Sequence, residues 1–201
     1  MEPEGREPSV LLVFAHPALE RSRANAMLAD AGRQAAGVRF HDLYELYPDF
    51  VIDVEAEQEK LLAHQVIALQ FPFYWYSTPA LMKEWLDLVW LHGFAYGAGG
   101  DKLKGKQLFV ACTTGGPAQA YHTRGYNRFT MEEFLRPLEQ TASLCGMIWE
   151  NPFIVHAARL KDDAHIQGEA DRYRQRLEGL VAGARETVRW MAISSSRRWS
   201  I

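Results

Sequence analysis

The sequence predicts an α/β domain in which a five-stranded parallel sheet of strand order 2-1-3-4-5 carries helices on both faces. Two observations predict it. Short, continuous apolar runs, SVLLVFA (9–15) and QVIALQF (65–71) foremost, have the length and composition of strands covered on both sides. Between such runs the pattern turns helical, and strands alternating with helices imply right-handed crossovers within one parallel sheet. The 201 residues suffice for a single domain, 1–201, with 1–8 and 194–201 as flexible tails.

The first strand, 9–15, ends at His16-Pro17. From about Ser22 the residues Ala24, Met27, Leu28, Ala31 and Ala35 form a stripe of helical period, with Gly37 just past its end. VRFHDL (38–43) is the second strand, an acidic stretch from Asp53 to Ala63 a helix, and 65–71 the third strand. A long apolar helix near Ala80 to Leu91 and a glycine-rich connection, GAGGDKLKGK (97–106), read as flexible, lead to the fourth strand, KQLFVACTTG (106–115). A helix near Met131 to Cys145 precedes a weaker fifth strand, IWENPFIVHA (148–157), and a charged helix from Asp162 to about Trp190 closes the chain.

Composition narrows the function classes. With 48% hydrophobic and 23% charged residues the chain has ordinary globular usage. A net charge of -3 gives no electrostatic footprint for nucleic acid or a membrane surface. No run reaches the roughly 20 apolar residues that cross a bilayer, so no membrane insertion is expected. The N-terminal MEPEGREPSV lacks the parts of a signal peptide, and Cys112 and Cys145 lie far apart without metal-ligand spacing; both features suit the cytoplasm.

In strand order 2-1-3-4-5, ligands sit beyond the carboxyl ends of strands 1, 3 and 4. The loops there are HPALERSRAN (16–25), PFYWYSTP (72–79) and TTGGPAQAY (113–121). The first opens a helix, where free N–H groups and the macrodipole favour an anion such as phosphate. Prolines stiffen the second, which offers flat apolar surface. The third pairs hydroxyls with glycines that let main-chain amides approach a planar polar edge. Phosphate, flat ring and polar ring edge together describe a flavin nucleotide.

Several stretches carry a resemblance: HP…SRAN, YPDFVIDVEAEQEKLLAH (47–64), QFPFYWYSTPALMKEWLD (70–87), GFAYG (93–97), TTGG…AY…GYN (113–127) and LRPLEQTASLCGM (135–147). Together they resemble the flavodoxin-like NAD(P)H:quinone oxidoreductases, most closely the smaller bacterial ancillary flavoproteins of glutathione-gated potassium-efflux systems. The resemblance covers roughly residues 9 to 180 and implies a flavodoxin-like fold. It assigns His16, Ser22, Ala24 and Asn25 to the phosphate and ribityl end of the flavin, and Pro72, Phe73, Tyr74 and Trp75 to the segment along the ring. Thr113, Thr114, Gly115, Gly116 and Tyr121 are assigned to its pyrimidine side. It further implies a homodimer in which Tyr96 reaches the partner's substrate pocket. The helix ALMKEWLDLVWLHGFAYG supports association, with Leu81, Trp85, Leu88, Val89 and the Phe94/Tyr96 end read as an excess of apolar surface.

The expected activity is that of an NAD(P)H dehydrogenase (quinone): ping-pong hydride transfer from NAD(P)H through FMN or FAD to a quinone. FMN is favoured because little sequence remains after strand 5 to build an adenine pocket. Gly115, Gly116 and the Tyr121 hydroxyl would stabilise negative charge at the flavin edge. Larger members of the resembled family carry a proton-relay His six residues beyond this Tyr; here that position, in the substrate pocket, is Asn127, leaving Tyr121 alone, His122 or water. The alternative is a regulatory subunit that binds the cytoplasmic domain of a potassium/proton antiporter, which would place it at the inner membrane, with reductase activity secondary. A one-electron flavodoxin fits poorly, because its Thr/Ser-rich phosphate loop is missing.

Other chemistry finds no support in the pattern. His41, His64, His92, His122, His156 and His165 form no ligand spacing, and no metal is expected. There is no GxSxG elbow, no GxGxxG after strand 1 and no Walker sequence in 97–106. Asp42, Asp53, Glu55, Glu57 and Glu59 read as solvated faces of their elements.

Overall fold

The computed structural model describes residues 9–196, with side chains described to residue 186. Of the expected tails, 1–8 and 194–201, residues 1–8 and 197–201 lie outside the described residues, whereas 194–196 continue the last helix. Four strands, β1 (Val10–Phe14), β2 (Val38–Asp42), β3 (Val66–Pro72) and β4 (Gln107–Thr113), form the body of a parallel sheet. Its order is β2-β1-β3-β4-β5, as the sequence predicts. Every residue of β1 and β3 is buried, which is why their runs are apolar but for Gln70, whose Oε1 accepts from the buried Tyr173 hydroxyl at 2.9 Å.

The helices form two layers. Strand side chains alternate between faces. Val10, Leu12, Val66, Ala68 and Phe109 meet α1 (Arg23–Gln34) and α6 (Asp163–Ser196) in one core. Leu11, Val13, Ile67, Leu69 and Val110 meet α3 (Val54–Ala63), α4 (Ala80–Val89) and α5 (Met131–Leu144) in the other. Gly32 of α1 lies against the sheet so closely that a Cβ there would come within 2.5 Å of Leu12. No helix among the described residues is long and apolar enough to cross a membrane.

Several boundaries differ from expectation. The fifth strand is two pieces, β5 (Ile148–Trp149) and β6 (Phe153–Val155), both paired with β4. Pro152, which has no N–H to give the ladder, stands in the gap. The last helix continues past Trp190 to Ser196. Leu43 opens a one-turn helix, α2 (Leu43–Leu46), because the Asp42 carboxylate caps it through Tyr44 N (3.1 Å) and Glu45 N (3.4 Å). Leu103, fully buried, anchors the glycine-rich 97–106 connection. The apolar excess expected on the helix at 80–97 is mostly core: Leu81, Trp85 and Val89 have no exposed surface, while Leu88 and Leu91 keep 37% and 45% of theirs.

The sharpest difference concerns Glu57, which is fully buried rather than solvated. Its carboxylate accepts from Tyr47 Oη (2.6 Å), Trp85 Nε1 (2.8 Å) and Lys60 Nζ (3.0 Å), and His41 Nε2 lies 2.8 and 3.0 Å from its two oxygens. Burial pushes the Glu57 pKa upward, but the hydrogen bond and charge of His41, with the bonds from Tyr47 and Trp85, outweigh it and hold it at about 2. Those donors come from β2, the loop before α3, α3 itself and α4, so one carboxylate ties four segments together. Asp53 likewise caps α3 through Ala56 N at 3.1 Å, whereas Glu55 and Glu59 are exposed as expected.

Removing this carboxylate leaves four donors facing apolar surroundings. Glu57→Ala is expected to lose about 3–5 kcal/mol of unfolding free energy at neutral pH, measured by urea titration. Because the folded pKa lies below the ordinary 4.5, the charged form's contribution is complete above about pH 4.5 and lost on acidification toward pH 2. The gap between wild type and Glu57→Ala therefore narrows across that window.

Candidate functional site

Three loops leave the carboxyl ends of β1, β3 and β4 and enclose one cleft of about 920 Å³. It is lined by His16, Ser22, Ala24, Asn25, Pro72, Phe73, Tyr74, Trp75, Thr113, Thr114 and Gly115. These are eleven of the residues that sequence reasoning assembled. Gly116 and Tyr121 stand just behind the lining, while Tyr96 lines a separate groove of about 370 Å³. Asn127 also lies apart, accepting from Tyr76 Oη at 3.3 Å.

At one end of the cleft the chain turns into α1. The helix's first N–H groups, at Arg23, Ala24 and Asn25, have no intrahelical acceptor. The Ser22 side chain does not cap them, and no acidic residue occupies the first turn. Ser22 Oγ instead accepts from Asn25 Nδ2 at 2.9 Å, and the same amide reaches Thr113 Oγ1 at 3.0 Å. Asn25 therefore works as an internal clamp, fixing the helix start to the end of β4. His16 is buried; Ala18 N donates to its Nδ1 at 3.1 Å, which leaves the proton of the neutral ring on Nε2, 3.4 Å from Tyr74 Oη. Desolvation lowers the His16 pKa, opposed by the charge of Glu20, so at neutral pH this residue is an uncharged donor.

Charge at this end comes from arginines of the first loop, which the sequence placed here, and from Arg159, which the sequence reading missed. Arg21, Arg23 and Arg159 all line the cleft. Arg23 is engaged, pairing with Asp163 at 2.7 Å and with the Lys161 carbonyl, which draws the 158–163 segment against α1. Arg21 has only an exposed pairing with Glu20 at 3.6 Å, and Arg159 has no ion pair among the described residues. Arg159 follows β6 with no motif around it, so only the fold reveals its position.

The second loop makes a tight turn in which Tyr74 and Ser77 exchange main-chain hydrogen bonds at 3.2 and 3.0 Å. Both central residues are left-handed, Trp75 at φ 47° and Tyr76 at φ 65°. That conformation costs non-glycine residues roughly 1–2 kcal/mol each. The turn holds Trp75 93% exposed beside the cleft. Tyr76 turns the other way and stacks on Phe134 (centroids 5.1 Å apart), while Phe73, buried, packs edge-on to both Tyr121 and Phe134.

The third loop carries a polar cluster. Thr114 Oγ1 donates to Gly116 O at 2.8 Å and lies 3.1 Å from His156 Nδ1. Burial raises the Tyr121 pKa, while a hydrogen bond to Thr114 and the main chain of Gly116 pull it down. A Cβ on Gly116 would meet Tyr126 Oη at 2.6 Å and the Tyr121 hydroxyl at 3.4 Å, so a larger residue there would displace the exposed Tyr126 side chain. Tyr121 is more engaged in packing than its loop position suggests. Cys112, beneath this loop, is buried, and desolvation pushes its thiol up to about 12.

This geometry has counterparts among known proteins. A family model described as "Flavodoxin-like fold" matches residues 8–177. The glutathione-regulated potassium-efflux system ancillary protein KefG of Pectobacterium carotovorum is 49% identical over 166 residues, covering 83% of this chain and 91% of that protein. General stress protein 14 of Treponema denticola, solved in complex with FMN, is 37% identical with a TM-score of 0.81, covering 86% of this chain and 99% of that one. An NADPH-quinone reductase from P. pentosaceus is 32% identical with a TM-score of 0.76, covering 84% and 97%.

The strained turn allows a test that needs no ligand. Trp75→Asn places a residue tolerant of left-handed backbone where almost no side-chain packing is lost. Its unfolding free energy is expected to rise by about 0.5–1 kcal/mol in urea titration. A decrease would show that the Trp75 ring stabilises the turn.

Proposed function

We propose that this chain, which belongs to the flavodoxin-like fold family, binds FMN in the 920 Å³ cleft and serves as an NAD(P)H:quinone-type oxidoreductase. The observation that carries this reading is the convergence, in one cavity, of an uncapped helix start with nearby arginines, an aromatic wall and a glycine-flanked polar edge. The quinone reductase and FMN-bound relatives support it. The residues fit the cofactor: the uncapped amides and Arg159 suit a phosphate dianion, and Gly115 has open space where a Cβ would stand.

A bound flavin supplies two-electron transfer from NAD(P)H to a quinone in two half-reactions. The chain's own contribution is binding, orientation and charge. The main-chain N–H groups of Arg23 and Ala24 and the neutral His16 donate to the phosphate end, while Arg21 and Arg159 balance its charge. Phe73, Tyr74 and Trp75 hold the flat ring. Gly115, Gly116 and the Tyr121 hydroxyl face negative charge that develops at the polar edge. The relative solved in complex with FMN favours FMN over FAD.

A second reading is favoured by one finding, the potassium-efflux ancillary name of the KefG relatives. Under it the chain binds the cytoplasmic domain of such an antiporter, and the reductase activity is secondary. A homodimer is proposed under both readings. Its surface is the groove of about 370 Å³ between α4 and α5, lined by Leu86, Leu138, Leu144, Phe134 and Tyr96. Light scattering at micromolar concentration should return twice the chain mass.

The deciding experiment is an absorption spectrum of the purified protein with mass analysis of the released cofactor. A protein that stays colourless after reconstitution with FMN and with FAD would falsify the flavin reading. Arg159→Ala is expected to weaken FMN binding about tenfold to a hundredfold, the loss of one charge-assisted hydrogen bond, and to leave riboflavin binding unchanged. Tyr121→Phe, which keeps the ring packing, is expected to retain FMN and thermal stability while slowing flavin reduction about tenfold to a hundredfold in stopped flow.

A further inference from the structure

Tyr121 raises a question of proton supply. A phenol that gives up its proton at a half-enclosed edge needs a route to solvent, and the candidates along its own loop do not provide one. Asn127 is held by Tyr76 and has no titratable proton. His122 turns away, its Nδ1 accepting from Arg124 N at 3.0 Å in an exposed turn. The histidine that the fold does bring to Tyr121 comes from the end of β6. The His156 ring lies 5.5 Å from the Tyr121 ring between centroids, and its Nδ1 is 3.1 Å from Thr114 Oγ1, the hydroxyl whose influence on Tyr121 pulls the phenol's pKa down.

We propose that His156 supplies protons to the Tyr121 hydroxyl through Thr114 Oγ1, and so takes the relay place that Asn127 cannot fill. The proposal rests on the flavin reading above for its use in turnover, but the His156–Thr114 contact and the packing of His156 against Tyr121 belong to the protein itself. In the relay step the Thr114 hydroxyl turns from Gly116 O, and its O–H breaks as an O–H forms at the Tyr121 oxygen. The Thr114 O–H is remade as the His156 Nδ1–H breaks, while Nε2, which has no protein partner among the described residues, takes up a solvent proton. No electrons move, and one proton has passed from solvent to Tyr121. The groups facing the imidazole are Thr114 and Tyr121 from the third loop, Glu132 at the start of α5 and Glu169 of α6. Burial lowers the His156 pKa and the two carboxylates oppose it, so the ring is predominantly neutral at pH 7, the form that can accept at one nitrogen and release at the other.

The test has two arms. In the protein without substrate, nitrogen NMR of labelled histidines follows the His156 titration. Tyr121→Phe removes only the hydroxyl, leaving the ring contact, and is expected to move the His156 midpoint by roughly 0.3–1 unit, as is Thr114→Val. In stopped flow with NADH and NADPH separately, His156→Gln is expected to retain FMN affinity, to slow flavin reduction about tenfold to a hundredfold, and to flatten its pH dependence below 6.5. Thr114→Val breaks the same chain with His156 in place and serves if His156→Gln is unstable. An unmoved His156 midpoint in Tyr121→Phe, or a wild-type pH profile in both variants, overturns the relay. A protein that binds no flavin defeats the functional reading instead, and the NMR arm still decides the relay.

Discussion

The buried carboxylate of Glu57 is the constraint on which the aromatic side of the cleft depends. An ion without exposed surface is unfavourable unless its partners are complete. Here four side chains from β2, the loop before α3, α3 and α4 complete it. Trp85 is the member that matters for the site. It sits in the second turn of α4, and α4 starts immediately after Pro79, the end of PFYWYSTP. At the loop's other end Phe73 N bonds Thr113 O at 2.8 Å, continuing the β3–β4 ladder. The wall is thus pinned by the sheet on one side and by a buried ionic network on the other, and its tight turn has little room to relax.

Strain collects where the site needs it. Of the five described non-glycine residues with positive φ, Phe50, Trp75, Tyr76, Arg128 and Ala157, Trp75 lines the cleft, Tyr76 shares its turn and Ala157 bonds the third loop. Ala157 follows His156 directly and donates to Gly116 O at 2.9 Å, so its left-handed backbone lets the β6 loop fold back onto the third loop. The reversal returns the following residue to the same loop, where Ala158 N bonds Thr114 O at 3.0 Å. Such conformations persist only where surroundings over-determine them. The double-sided core of β1 and β3 supplies that determination, since neither strand can shift without unpacking both helical layers.

What the sequence disclosed follows from how each feature is encoded. The sheet order and the three loops were legible because buried parallel strands write themselves as near-continuous apolar runs, and the loops at their ends follow from the topology. The split of the last strand was written in Pro152 and overlooked in favour of the longer pattern. Glu57 was misread because a charged residue in an acidic helix looks solvated, and its partners lie 3 to 28 positions away in the chain. Trp85 and Val89 looked like an interface because a helix apolar on a broad face can cover its own sheet or a partner equally well. Arg159 and His156 carried no signal, since their roles exist only once β6 is laid beside β4.

The exposed Trp75 brings the catalytic and the ancillary readings onto the same atoms. A large aromatic left in water on a strained backbone is unfavourable twice over, in hydration and in conformation, and neither penalty helps the fold. Both become useful if something covers the ring. A flavin in the cleft would cover the face turned toward it and leave the outer face exposed. A partner protein would meet that outer surface. Occupancy of the cleft and binding of a partner would then share one element, and any preference of the partner for the filled cleft would be matched by an equal tightening of the flavin. The two readings therefore need not compete for residues: one describes what lies against the inner face of the turn, the other what lies against its outer face.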